Sequence, residues 1–157
     1  MVVKDKQNKI IFGIMCNSIY FKQWQANTIK ALLENKQIEC RLLIFDKRSS
    51  SGRKIKNRIK NIKVRNFLWQ GYMFFLRKKF KATKLVDLSS VLADVPKLEC
   101  QIIKKGKFSE YFQESDISEI NNHNLDFILR FGFGIIRGDI LKTAKYGVWS
   151  FHHDDEQ

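Results

Sequence analysis

Two stretches decide the fold: Lys9-Ile-Ile-Phe-Gly-Ile-Met-Cys16 and Ile38-Glu-Cys-Arg-Leu-Leu-Ile-Phe45. The first is a nearly continuous apolar run, the pattern of a strand covered on both faces in a parallel sheet. Asn17 or Ser18 behind it offers a side-chain oxygen to cap a helix. Phe21, Trp24, Thr28 and Leu32, with Ile29 and Leu33, recur at three- and four-residue steps, predicting a helix from about Tyr20 to Glu34. Asn35 follows as its C-terminal cap. The second stretch reads as another strand. Strand, helix and strand in that order form a βαβ unit, which predicts a right-handed crossover and a mainly parallel sheet in a three-layer, Rossmann-like α/β domain.

Working outward, the Ser49–Gly52 stretch breaks the pattern. Between Lys47 and Val86 lie 14 Lys or Arg and no Asp or Glu, so the formal net charge of +13 belongs to this segment. Any electrostatic function belongs there too. Ile55, Ile59 and Ile62 at helical spacing, and the aromatic run Phe67–Phe80, predict one or two helices over Arg53–Phe80 on the outside of the sheet. The segment 47–86 therefore reads as a basic helical insertion. Lys84–Leu92 is loosely apolar, and Pro96, the single proline, marks a turn before a short strand, Leu98–Ile103. Gly106 lies in the loop beyond.

The last third carries the sharpest pattern. Asp116–Asn122 reads as the end of a helix that starts near Ser115 or Asp116. Leu125-Asp-Phe-Ile-Leu-Arg-Phe131 reads as a strand and Gly132-Phe-Gly134 as a turn. A short helix over Ile135–Ala144 follows, and then a strand, Gly147-Val-Trp-Ser-Phe-His152.

Composition sets limits on function. The 157 residues are at most one domain, and 44% apolar residues, with thirteen Phe and three Trp, suffice for a core. Cys16, Cys40 and Cys100 have no CxxC spacing, which excludes a zinc knuckle or dithiol redox pair and leaves small buried hydrophobes in a reducing cytoplasm. The polar start gives no signal peptide, and Phe67–Leu76 is about half of the roughly 20 residues that a spanning helix needs. A soluble, cytoplasmic protein is expected.

Leu125-Asp126-Phe-Ile-Leu, then Phe133-Gly134-Ile-Ile-Arg-Gly-Asp-Ile-Leu141, then Gly147-Val-Trp-Ser-Phe-His152 stand in an order and spacing similar to a known signature. They resemble the catalytic domain of the folate-dependent formyltransferases, the family of methionyl-tRNA, glycinamide ribonucleotide and sugar-nucleotide formyltransferases. The first βαβ unit is also similar to that family's first strand and helix. The resemblance implies transfer of a formyl group from 10-formyltetrahydrofolate to an amine acceptor. It implies a folate wall from Phe133, Gly134, Ile135, Ile136 and Leu141, with His152 as acid–base and oxyanion residue. Ser150 stands where the family's catalytic Asn falls, as in a branch reading WSFHH, and would be an auxiliary donor. The family's catalytic aspartate comes further downstream than Gln157. The chain is thus expected to be an incomplete N-terminal domain with little activity of its own.

Other chemistries fit the residues less well. His152 and His153, with Asp154, Asp155 and Glu156, carry metal-ligand types, but consecutive strand residues point to opposite faces, so no metal site is assigned. Gly132, Gly134 and Gly138 spell GxGxxxG, one residue too long for a dinucleotide fingerprint. Asp126 is expected to face a loop or cap a neighbouring helix, and His123 to lie on the surface beside a helix end. The basic stretch Lys47–Lys84 has the charge to bind RNA, another phosphate-bearing ligand or an anionic membrane surface. A non-catalytic basic module of that kind is the alternative to an enzyme.

Overall fold

The structure, a computed structural model, describes residues 9–50, 71–72, 81–106 and 108–151. Its centre is a five-stranded parallel sheet built from β1 (Ile10–Cys16), β3 (Ile38–Asp46), β5 (Lys97–Cys100), β8 (Phe127–Arg130) and β10 (Val148–Ser150), in the order β10-β8-β1-β3-β5. The βαβ expectation holds. β1 runs parallel to β3 and is joined to it through helix α1 (Gln23–Glu34).

Both faces of the sheet are covered, which is why its inner strands β1, β3 and β8 are largely apolar on both sides. On one face, Phe12, Ile14 and Cys16 of β1 meet Ala26 and Ile29 of α1, with Leu88, Leu92 and Phe127. On the other, Met15, Leu42, Ile44 and Ile128 meet Ile120 of helix α3 (Glu114–Asn122). Three layers result. Between Phe12 and Gly13 the β1–β3 register slips by one residue: Phe12 pairs with Cys40 but Gly13 with Leu42. That slip explains how Cys40 and Leu43, three apart, both reach the α1 face. All three cysteines are free and buried, as the sequence indicated.

Two smaller sheets flank the centre. β2 (Tyr20–Lys22) pairs antiparallel with β4 (Leu85–Asp87). β6 (Ile102–Lys105) and β7 (Ser109–Phe112) form an antiparallel hairpin, and β9 (Ile135–Ile136) adds in parallel to β7.

Several expected boundaries are corrected. Helix α1 begins at Gln23 rather than near Tyr20, because Tyr20–Lys22 is drawn into the ribbon with β4; Gln25 then accepts the Lys22 N–H at 2.9 Å. Neither Asn17 nor Ser18 caps it. The expected strand Leu98–Ile103 is two strands in two sheets, broken at Gln101. Helix α3 begins at Glu114, one residue before the expected start. In place of a helix over Ile135–Ala144 there is β9 and a 3-10 turn, Asp139–Lys142. Pairing with β7 extends Ile135 and Ile136, and Gly138 at φ +85° keeps the chain out of a helix. Most of the basic insertion, 51–70 and 73–80, lies outside the described residues. Of its remainder, α2 (Lys47–Ser50) and Gly71–Tyr72 are helical, whereas Leu85 and Val86 belong to β4. Among the described residues no helix is long and apolar enough to cross a membrane.

Candidate functional site

In open parallel sheets, ligands bind beyond the carboxyl ends of the strands, where neighbouring connections leave in opposite directions. Here β1 is flanked by β3 on one side and β8 on the other, so the crevice is expected where these three strands end. A cavity of about 500 Å3 lies there, lined by Asn17 behind β1, Asp46 and Arg48 at the end of β3, and Phe133 and Gly134 behind β8. Ile102, Lys104 and Glu110 of the β6–β7 hairpin complete the wall.

The polar part of the site is a chain of charge-assisted bonds. Asp46 and Glu110 are only 4% and 6% exposed, and carboxylates at such depth require partners. Arg48 supplies them. Its Nε and Nη2 donate to Asp46 Oδ1 and Oδ2 at 2.9 and 2.7 Å, a two-pronged pairing that suits the planar guanidinium. The same Nη2 donates to Glu110 Oε1 at 2.7 Å. These bonds, led by that to Asp46, hold the Arg48 guanidinium protonated well above its ordinary range, against the opposing effect of burial. The other Glu110 oxygen accepts the Gly134 N–H at 2.6 Å.

Two glycines pack closely against polar side chains here. A Cβ at residue 132 would lie 2.9 Å from Cγ of Asn17, and one at residue 134 would lie 3.1 Å from Cδ of Glu110. Between them Phe133 has φ +68°, a left-handed conformation rare for a bulky side chain. Its ring stacks on Phe112 with centroids 5.5 Å apart.

Of the residues singled out from sequence, Phe133, Gly134 and Ser150 lie at this end of the sheet, whereas Leu141 lies beside Gly147, just before β10 and so toward the opposite end, and does not line the cavity. Phe133 and Gly134 line the cavity. Ile135 and Ile136 continue from them as β9, the first exposed and the second buried. Leu141 is an exposed residue of the 3-10 turn. Ser150 is exposed at the carboxyl end of β10, in register with Arg130, whose Nη1 donates to the Gly134 carbonyl. His152, and His153 beside it, lie outside the described residues. Beside Ser150, an aromatic cluster joins Trp24, Phe131 and Phe151, with Trp24 edge-on to Phe151 at 5.0 Å and Phe131 stacked on it at 5.9 Å.

Asp126 holds two strands together. Its Oδ2 accepts the Ile11 N–H at 2.7 Å, tying β1 to the start of β8. His123 is the half-buried C-cap of α3, with Nε2 3.9 Å from Glu119. Among the described residues no group of three or more metal-ligating side chains is assembled.

Sequence reasoning missed Asn17, Asp46, Arg48, Ile102, Lys104 and Glu110. One signal was present for Glu110: in Ser-Glu-Tyr-Phe of β7 it alternates inward with Phe112, a charged residue at a core-facing position. No protein-family model, curated protein sequence or solved structure matches the chain.

Proposed function

We propose that the crevice binds the pteridine end of a folate carrying a one-carbon unit, 10-formyltetrahydrofolate, and that the formyl group passes from it to an amine. One observation carries this: Phe133 and Gly134, on which the resemblance to the formyltransferases rests, form a wall of the cavity at the carboxyl ends of the parallel strands. Its volume of about 500 Å3 falls within the usual size of a small-molecule site. Phe133 and Ile102 offer apolar surface to a flat ring, and Asn17, Arg48 and Lys104 offer polar groups to its edge.

In the reaction, the amine nitrogen bonds to the formyl carbon, and the carbon–N10 bond of the folate breaks. The proton lost by the amine ends on N10. The resemblance assigns the proton transfer to His152 and an auxiliary donor role to Ser150, which stands at the end of β10, the strand next to β8, and not among the cavity-lining residues. The Lys47–Lys84 segment supports an acceptor that bears phosphate, as RNA or a nucleotide sugar does. Three buried, unpaired thiols support a reducing, cytoplasmic setting.

The test is equilibrium binding of 5-formyltetrahydrofolate, a stable relative of the donor, to the 157-residue protein, followed by calorimetry. Saturable binding is expected, with a loss of at least tenfold in Gly134→Val, whose side chain pushes into Glu110 and the cavity. No binding at millimolar folate, or equal binding by the variant, would defeat the proposal.

A further inference from the structure

Glu110 joins parts of the molecule that belong to different sheets. It sits on β7 of the three-stranded sheet, yet its Oε1 accepts from Arg48, just past the end of β3 in the central sheet. Its Oε2 accepts from the Gly134 N–H, behind β8. Its own main-chain carbonyl accepts the Arg137 N–H at 2.9 Å. One residue thus fastens both ends of the Gly134–Arg137 run, and both of its carboxylate oxygens are committed to opposite sides of the crevice.

The residue held this way is the one next to Phe133. The Gly134 peptide groups are gripped by opposite charges: its N–H by the Glu110 carboxylate and its carbonyl by the Arg130 guanidinium. Phe133 meanwhile keeps φ +68°, which a bulky side chain adopts only where its surroundings impose it. Glu110 is almost fully buried, so its bond to Gly134 is screened little by water and is of the strong, charge-assisted kind.

We propose that Glu110 is a positioning residue: by bridging Arg48 and the Gly134 N–H it imposes the left-handed turn at Phe133 and keeps that ring in the wall of the crevice. Glu110 acts through Gly134 and Phe133, its carboxylate oxygens being taken up by Arg48 and the Gly134 N–H. Only the identity of the ligand that meets this wall rests on the folate reading.

The experiment measures hydrogen exchange of the Gly134 amide in the full chain without ligand, and binding of 5-formyltetrahydrofolate, in the wild type, Glu110→Gln, Glu110→Ala and Arg48→Met. The Gln side chain can still turn an oxygen to the Gly134 N–H, whereas Ala cannot. Gly134 protection should therefore survive largely intact in Glu110→Gln. In Glu110→Ala it should fall by at least about tenfold, since a bond to a charged group is lost. The Ile14 and Leu43 amides of the central sheet should change much less, and the folate affinity should fall with Gly134 protection. Arg48→Met, which keeps Glu110 but frees it from β3, should give an intermediate loss and guards against a Glu110→Ala chain that fails to fold. Unchanged Gly134 protection in both Glu110→Ala and Arg48→Met would overturn the proposal, as would a parallel loss across the central sheet. If the wild type binds no folate, the folate reading fails, and the exchange data still decide the role of Glu110.

Discussion

Gly132 works at the single-atom scale. Its missing Cβ is the space taken by the Asn17 side chain, 2.9 Å from where that carbon would be. Gly132→Ala should therefore turn the Asn17 amide out of the cavity lining. Its stability cost should be about 1–2 kcal/mol, the low end for overpacking because Asn17 can swing aside. A urea titration measures the cost, and the folate affinity should drop alongside it. The contrast with Gly71 is instructive, since among the described residues a Cβ there meets nothing within 4 Å and Gly71→Ala should leave folate affinity unchanged. At this scale Phe133 and Gly134 were singled out because Phe133–Leu141 resembles a formyltransferase turn, and both line the cavity. Asp46 and Glu110 were not: they are 64 positions apart, and nothing in either neighbourhood says that Arg48 will bridge them.

At the scale of elements, the strands were readable where burial is two-sided. β1 and β3 stand in the sequence as apolar runs because both of their faces are covered. Boundaries failed where a distant partner decided them. Tyr20–Lys22 continues the helical spacing of α1, yet Tyr20 pairs with Asp87 and Lys22 with Leu85, and main-chain pairing outweighed the local preference. Ile135 and Ile136 were likewise captured by Ser109 and Glu110. The β1–β8 seam contains a side-chain bond that can be removed by itself: Asp126 Oδ2 accepts the Ile11 N–H. Asp126→Ala leaves that half-buried donor unpaired and should destabilise by about 1–3 kcal/mol. Asp126→Asn, with one oxygen retained, should cost less. Chemical unfolding of the two variants gives the comparison, and equal costs would show that the bond contributes nothing.

For the whole molecule, the three thiols act as reporters of closure. Burial pushes Cys16, Cys40 and Cys100 from their ordinary 9.0 up to about 12. Above pH 9 the folded chain therefore keeps protons that the unfolded chain releases. The stability this contributes is complete below about 9 and is lost as pH rises through about 12. The urea midpoint should accordingly fall between pH 9 and 11, and less steeply in Cys40→Ala. At pH 8 a thiol-specific reagent should label the native protein only as fast as it opens. Strand order has a different consequence, felt before the molecule is finished. β1 lies in the middle of the sheet, but the partner on one of its sides is β8, 115 residues later at the Ile11–Asp126 contact. At roughly 5–20 residues per second on the ribosome, the apolar edge of β1 waits on the order of ten seconds for that partner. Through that interval the nascent chain presents an unpaired strand edge, and a chaperone that binds extended apolar segments would find its target in Ile10–Cys16.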